Sequence, residues 1–431
     1  MYDYTLFRLY DLFLARPTVC TDSRRVTEGA MFFALRGENF DGNRFAAQAL
    51  DSGASCCVVD DPKAATDERC IVVKDVLHTL QALARHHRRK LGIPVLAVTG
   101  SNGKTTTKEL VSRVLACRYR IGVTQGNLNN HIGVPLTLLS LNGSTQFGVV
   151  EMGANHPGEI AALCAIAEPD YGLITNIGKA HLEGFGGVEG IRRGKGELFD
   201  YLREKCGVAF YLKESEALSE MTAERPGLLT VPYSSSELEL LPAADGEGGL
   251  ALRCGGMEIR TSLVGDYNRD NVAAAMAVAG YFDIPAGKAV RAVESYVPDN
   301  GRSQRRETRD NVLYLDAYNA NPTSMEAAIR NFARAGEGTR EKVAVLGDML
   351  ELGRYAEAEH RRILKLAREA GIRRAFLVGE HFCAANDCPD FLGFATTEAL
   401  RKHLSEHPLR GCAVLLKGSR GNRLEILEGV L

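Results

Sequence analysis

Short apolar runs punctuated by glycine, proline or polar clusters recur along the chain, and many of the stretches between them place apolar residues at helical spacing. Val95-Leu96-Ala97-Val98, bounded by Pro94 and Gly100, has the continuous apolar character of a strand buried on both faces of a parallel sheet. Leu110, Val111, Val114 and Leu115 then predict a helix that starts near Thr105. Phe147 to Met152 and Gly172 to Asn176 predict two more strands, and the alanine-rich stretch Val272 to Ala279 a helix. Upstream, strands are expected over Phe32 to Leu35 and Cys56 to Val59, with a helix over Phe45 to Leu50 ending near Gly53. Val76, Leu80 and Leu83 mark one face of a helix that stops at Gly92. Leu250 to Cys254 and Met257 to Thr261, around Gly255-Gly256, predict a β-hairpin that is a structural appendix. Near the end, strands over Val312 to Leu315, Val343 to Leu346, Ala375 to Val378 and Ala413 to Leu416 alternate with helical patterns, notably Ala356 to Ala370.

At 431 residues the chain exceeds what one core can serve. The pattern divides it into three α/β domains over 1–88, 89–299 and 300–431. A net charge of −2 gives no case for a nucleic-acid partner. The basic run Arg85-His86-His87-Arg88-Arg89-Lys90 reads as cations complementing a helix C-terminus that Gly92 and Pro94 end. No stretch approaches the roughly 18 uninterrupted apolar residues of a membrane span, and Met1-Tyr2-Asp3-Tyr4 lacks the basic and apolar regions of a signal peptide. The eleven cysteines are scattered, with no Cys-x-x-Cys pair, and read as small buried hydrophobes of a reducing compartment. A cytoplasmic protein is expected.

The chemistry centres on Gly100-Ser101-Asn102-Gly103-Lys104-Thr105-Thr106. A strand, a glycine turn, Lys-Thr and a helix N-terminus in that order form a phosphate cradle. The amides of residues 100–106 and the helix dipole favour anionic oxygens, Lys104 reaches the β/γ-phosphates and the Thr105 hydroxyl holds Mg²⁺. The general pattern places a further glycine where this chain has Val98, so the loop is a short version. Ligands of open α/β sheets bind beyond the carboxyl ends of the strands. Glu151 and His181, at or after two such ends, are therefore expected to face the phosphates. The run Gly126 to Pro135 is too rich in amides and glycine for a regular element and reads as an ordered polar loop. The turns at 316–322, 347–349, 379–381 and 417–420 gather on one edge of the third sheet as half of a cleft.

This order of motifs resembles the Mur ligases, the ATP-dependent amide-forming enzymes of peptidoglycan precursor synthesis. The resemblance rests on Thr-Gly-Ser-Asn-Gly-Lys-Thr-Thr at 99–106, Asn-Leu-Asn-Asn-His-Ile-Gly-Val-Pro at 127–135, Glu-Met-Gly-Ala at 151–154, Ile-Thr-Asn-Ile-Gly-Lys-Ala-His-Leu-Glu at 174–183 and Lys-Gly-Glu-Leu-Phe at 195–199. Tyr-Asn-Ala-Asn-Pro at 318–322, Gly-Asp-Met-Leu-Glu-Leu-Gly at 347–353 and Lys-Gly-Ser-Arg at 417–420 point to the member that adds D-alanyl-D-alanine to UDP-N-acetylmuramoyl-tripeptide. Two places depart from the family pattern: Gly265-Asp266-Tyr267-Asn268 stands where Gly-x-His-Asn is expected, and Ala317 follows Asp316 where an acidic pair is common.

The resemblance implies a small N-terminal UDP-substrate domain, a central P-loop ATPase domain with a parallel sheet, and a C-terminal Rossmann-like domain that takes the dipeptide. It implies ATP and two Mg²⁺, with Thr105, Glu151, His181 and a carbamylated Lys195 as metal ligands, and Lys104, Glu151, His181 and Lys195 as catalytic residues. Asn268, Asn271, Arg302 and Asp316 would line the adenosine side. Ser23 and Arg24 would contact the uridine diphosphate, Tyr318, Asn319 and Asn321 would lie near the dipeptide, and Asp41, Asn129, Asn130 and Thr175 complete the expected substrate contacts. A bacterial, cytoplasmic monomer is implied. Two other readings stay open: a different ligase of the superfamily, of the third-residue-adding or folylpolyglutamate synthase type, and a non-catalytic nucleotide-binding module.

Overall fold

A computed structural model describes residues 2–242, 249–298, 302, 304–336, 338 and 340–431. The expected boundary at 299/300 lies outside these residues.

Three sheets organise the chain. The first is parallel, in the order Val19–Cys20, Met31–Phe33, Cys56–Val59, Cys70–Val72. Its two central strands are the apolar runs expected from the sequence. Its two edge strands are too short to leave an apolar signature. Helix Tyr2–Ala15 was likewise not foreseen; its Leu9 and Phe13 are fully buried, and Tyr10 reaches His87 of helix Val76–Leu91.

Helix Val76–Leu91 starts where the Asp75 carboxylate accepts from the His78 amide, and ends on Gly92 in the left-handed region (φ 62°). It packs against helix Tyr2–Ala15 on one side and against helices Gly133–Ser140 and Glu159–Ala167 on the other. The expected boundary at 88/89 therefore falls inside a helix. The basic run occupies the last turn of this helix as expected, and Arg88 does more than complement its own helix. It is buried, and its guanidinium donates to the Ala167 and Glu168 carbonyls and to Asp170. It thus caps the C-terminus of a neighbouring helix, whose last carbonyls lack intrahelical partners.

The central sheet is wholly parallel: Leu229–Tyr233, Val208–Leu212, Tyr171–Ile174, Val95–Thr99, Phe147–Glu151, Ile121–Val123. Val95–Thr99 is buried throughout and lies in the middle, so its end opens between Ile174 and Glu151. Val98 is a fully buried residue of this strand, which explains the shortened loop: the turn begins only at Gly100. The hairpin Ala251–Cys254/Met257–Arg260 turns at Gly255 and Gly256, both at positive φ, and is joined by a short third strand, Glu239–Leu240.

The third sheet runs Gln304–Glu307, Val312–Asp316, Cys412–Lys417, Glu341–Gly347, Arg374–Val378, Phe391–Phe394, with only the first strand antiparallel. The four inner strands are those expected; both edge strands, one of them the charged Gln-Arg-Arg-Glu, are additions. Among the described residues no helix is long and apolar enough to cross a membrane.

Replacing Arg88 by Met should cost about 1–3 kcal/mol, because it leaves the buried Ala167 carbonyl without its donor. Chemical denaturation should show the loss.

Candidate active site

The turn after the central strand is shaped by its neighbours. Gly100 has φ 138°, and a Cβ there would lie 2.0 Å from Thr175 Oγ1. Gly103, at φ 78°, directly precedes helix Lys104–Leu115. Ser101 and Asn102 donate their amides to the carbonyl and Oδ1 of Asn176, at 3.0 and 3.1 Å. Thr175 Oγ1 donates to the Asn102 carbonyl, and the Ser101 hydroxyl bonds with both main-chain groups of Gly178. The expectation that all amides from 100 to 106 serve phosphate is corrected here. Those of Ser101 and Asn102 are spent on Asn176, and the first-turn N–H groups of the helix, which have no intrahelical acceptor, are left for an anion.

Lys104 Nζ folds over the turn and donates to the Gly100 and Ser101 carbonyls at 2.8 and 3.3 Å. Burial lowers its pKa, opposed by Glu151 and reinforced by Arg302. An incoming polyphosphate would favour the charged ammonium.

Thr105 Oγ1 and Glu151 Oε2 are buried without a hydrogen-bond partner. The other Glu151 oxygen accepts from Asn129 Nδ2 at 2.7 Å, and its amide donates to Thr124. Glu151 is only 1% exposed, so its unspent oxygen is costly unless a donor or a cation meets it. A hydroxyl and a carboxylate beside a phosphate cradle fit Mg²⁺, which takes few protein ligands and completes its shell with phosphate and water. Among the described residues no three His, Cys, Asp or Glu side chains form a metal cluster.

His181 has a left-handed backbone (φ 54°), and its Nδ1 bonds with Glu351, itself at φ 62°. That hydrogen bond draws the Glu351 carboxyl below its usual range. With Nδ1 engaged by a carboxylate, Nε2 is the nitrogen left to face a ligand. Lys195, 1% exposed, donates to the Ala154 carbonyl at 3.0 Å. Burial, then the nearby Lys104 charge, holds its pKa well below that of an ordinary lysine.

One cavity of about 670 Å³ gathers most of the expected residues. From the central domain it takes Ser101, Gly103, Lys104, Thr106, Asn129, Asn130, Glu151, His181, Asn268 and Asn271 among others; from the third sheet and its approach it takes Arg302, Asp316, Tyr318, Asn319 and Asn321. Asn102 lines it as well. Gly100, Thr105, Thr175 and Lys195 are not in its wall. Thr175 braces the loop, and Lys195 bonds to Ala154, which is in the wall. Asn268 and Asn271 brace one another, and Asn271 Oδ1 also accepts from Thr107 at 3.0 Å. Ser23, Arg24 and Asp41 belong to the first domain and are apart from the cavity. Arg24 pairs with Asp22, and the Asp41 carboxylate holds the amide and side chain of Asn43.

Three residues here had no expected role. Lys417 is buried and donates to Asp316 Oδ2 at 2.8 Å and to the Asn319 carbonyl at 2.7 Å. Its signal was present in the strand register, since Asp316 and Lys417 end neighbouring parallel strands side by side. Asn176 sits in a quoted motif, but only the fold shows it serving the loop. Glu351 meets His181 from 170 residues away.

Gly100→Ala should weaken ADP binding at least a hundredfold by calorimetry, because Cβ would collide with Thr175 (roughly 3 kcal/mol at that ratio). Gly143→Ala, at an open position, should leave it unchanged.

Three family descriptions match successive parts of the chain: "Mur ligase family, catalytic domain" over residues 18–88, "Mur ligase middle domain" over 98–279 and "Mur ligase, glutamate ligase domain" over 301–420. The UDP-N-acetylmuramoyl-tripeptide–D-alanyl-D-alanine ligase of Bacillus subtilis is 35% identical over 422 residues, covering 94% of this chain and 91% of its own. The Escherichia coli enzyme of the same name is also 35% identical, over 94% and 92%. Among solved structures, MurF from Acinetobacter baumannii superposes with a TM-score of 0.85 at 32% identity, covering 96% of this chain and 92% of that one. MurF ligase from Thermotoga maritima in complex with ADP gives 0.84 at 27% identity, with 96% of each chain covered. Similarity of this extent, on a chain that carries the phosphate cradle and its facing domain intact, leads to one conclusion: the chain belongs to the Mur ligase family.

Proposed function

We propose that this chain joins D-alanyl-D-alanine to UDP-N-acetylmuramoyl-tripeptide at the expense of ATP, in the bacterial cytoplasm. The observation that carries the reaction class is the meeting, in one cavity, of the phosphate turn and Glu151 with the strand-end loops of the third sheet. The substrate assignment is supported by end-to-end similarity to relatives named for it.

In the first step an oxygen of the peptide's terminal carboxylate bonds to the γ-phosphorus of ATP, and ADP leaves. In the second, the amine of D-alanyl-D-alanine attacks the acyl carbon, phosphate departs, and the amine's proton is lost. Phosphoryl transfer depends on positioning and charge neutralisation. Lys104 gives up its hold on the Gly100 and Ser101 carbonyls to take phosphate oxygens, and the first-turn amides of helix Lys104–Leu115 hold the rest. Mg²⁺, when held by Thr105 Oγ1 and Glu151, supplies neutralisation of the transferring phosphoryl group. His181, oriented by Glu351, is the residue for a second ion. Asn268 and Asn271 support the adenosine side with Arg302 and Asp316, and Tyr318, Asn319 and Asn321 border the acceptor side. Ser23, Arg24 and Asp41 belong to the UDP end of the substrate.

Lys195 is proposed to act as a carbamate. Burial and the nearby Lys104 charge disfavour the ammonium form of this amine, and its neutral form reacts with CO₂, forming an N–C bond and releasing a proton. A cation that would repel Mg²⁺ becomes an anionic ligand.

Phosphate release from Mg·ATP should require both UDP-N-acetylmuramoyl-tripeptide and D-alanyl-D-alanine. Release with neither, or with glutamate-type acceptors only, would overturn the assignment. Lys195→Ala should lose at least a hundredfold in rate and regain part of it with millimolar acetate or formate. A fully active Lys195→Ala without added carboxylate would refute the carbamate.

A further inference from the structure

A hydrogen bond links the phosphate turn to the C-terminal domain. Asn321 Nδ2 donates to Asn102 Oδ1 at 2.7 Å, across 219 residues of sequence. Neither partner is loosely held. Asn321 is buried and begins helix Pro322–Arg334; its Oδ1 accepts from the Ser324 amide, and the Ser324 hydroxyl accepts in turn from the Asn321 amide. Both ends of the Asn321 carboxamide are therefore spent on protein. Asn102 has its amide on Asn176 Oδ1, and its carbonyl accepts from Thr175 and from Asn176 Nδ2. What remains is Asn102 Nδ2, a buried N–H₂ without a partner, in a residue that lines the nucleotide cavity.

We propose that Asn321 is a positioning residue that acts through Asn102. By holding the Asn102 carboxamide oxygen from the opposite domain, it fixes the orientation of the unspent N–H₂, which serves as a donor to a phosphate oxygen of the nucleotide. Nucleotide affinity and the seating of the C-terminal domain are then linked through this bond, and linkage of this kind is reciprocal. A phosphate held by Asn102 orders the acceptor for Asn321, and a seated C-terminal domain orders the donor for phosphate. The backbone contact of Lys179 with Thr323 and the ion pair of Lys179 with Glu359 run beside the bridge, but neither touches the phosphate turn. The inference rests on the ATP-dependent reading only for its nucleotide.

Serine separates bridging from capping, because it is a good N-cap but too short to reach Asn102. The native chain, Asn321→Ser, Asn102→Ser and the double variant would be titrated with the non-hydrolysable analogue Mg·AMPPNP by calorimetry. Each would also be measured by small-angle scattering at saturation. Asn321→Ser should keep the native melting temperature within a few degrees, weaken the analogue roughly three- to tenfold, the scale of one hydrogen bond, and give a larger radius of gyration. The double variant should be no weaker than Asn102→Ser alone. Native affinity and compactness in Asn321→Ser, or losses that add in the double variant, would overturn the proposal. Analogue binding does not require turnover. A native chain that binds it but releases no phosphate would count against the ligase assignment and leave the bridge standing.

Discussion

An anion cradle works only if the N–H groups that meet the anion are left unspent while the turn that carries them is held in place by other bonds. That requirement governs the centre of this molecule. In the turn at 100–103 the Asn102 carbonyl is held by Thr175 and Asn176 and the Ser101 hydroxyl by Gly178, all from the segment after one neighbouring strand, while Lys104 takes the Gly100 and Ser101 carbonyls. The other neighbouring strand ends in Glu151. The parallel sheet is what makes this possible: three strands in register end at one level, so a turn from the middle one can be braced on one side and faced by a carboxylate on the other. The contact of Gly100 with Thr175 is tight for the same reason. A side chain at that position would push the turn off its brace.

Around this centre the structure leaves polar groups deliberately incomplete. Thr105, Glu151 and Asn102 each carry a buried atom without a partner, and all three belong to the phosphate turn, its helix or the adjoining strand end. Such atoms are costly in a folded chain. The surrounding structure offsets the cost with dense apolar strands, of which Val95–Val98, Val149–Val150 and Leu173–Ile174 are fully buried. Strain gathers at the same cleft, where His181 and Glu351 meet with left-handed backbones from two domains.

How much of this could be read from the sequence follows the physics of each signal. Buried parallel strands are continuous apolar runs, so Val95–Thr99, Phe147–Glu151, Tyr171–Ile174 and the inner strands of the first and third sheets were legible. The inner strand Val208–Leu212 and helices Glu159–Ala167 and Val188–Glu204 were not read, and helix Gly133–Ser140 begins inside the stretch read as a polar loop. Edge strands such as Val19–Cys20 or Gln304–Glu307 are short or charged and carry no such pattern. The phosphate turn was legible because it is local in sequence. Its bracing was not, because Asn176 and Asn321 are chosen by proximity in the fold. Arg88 was read only in part for a related reason. A cation at the end of its own helix looks like a dipole partner, and only the packed structure shows it serving the end of another. Glu151 and His181, singled out by the strand-end rule, line the cavity, whereas the rule has nothing to say about Lys417, whose pairing with Asp316 comes from register.

Helix Val76–Leu91 has a consequence for how such a chain can be recombined. It closes the first domain against helix Tyr2–Ala15, yet its Arg88 is fastened to helix Glu159–Ala167 of the second. The unit that can be transplanted between relatives is therefore the first domain together with this helix and a matching receptor surface. A crossover placed at Gly92 to Pro94 respects the covalent joint but still splits the Arg88 clamp, so a chimera would have to carry a compatible Ala167-Glu168-Asp170 corner along with it.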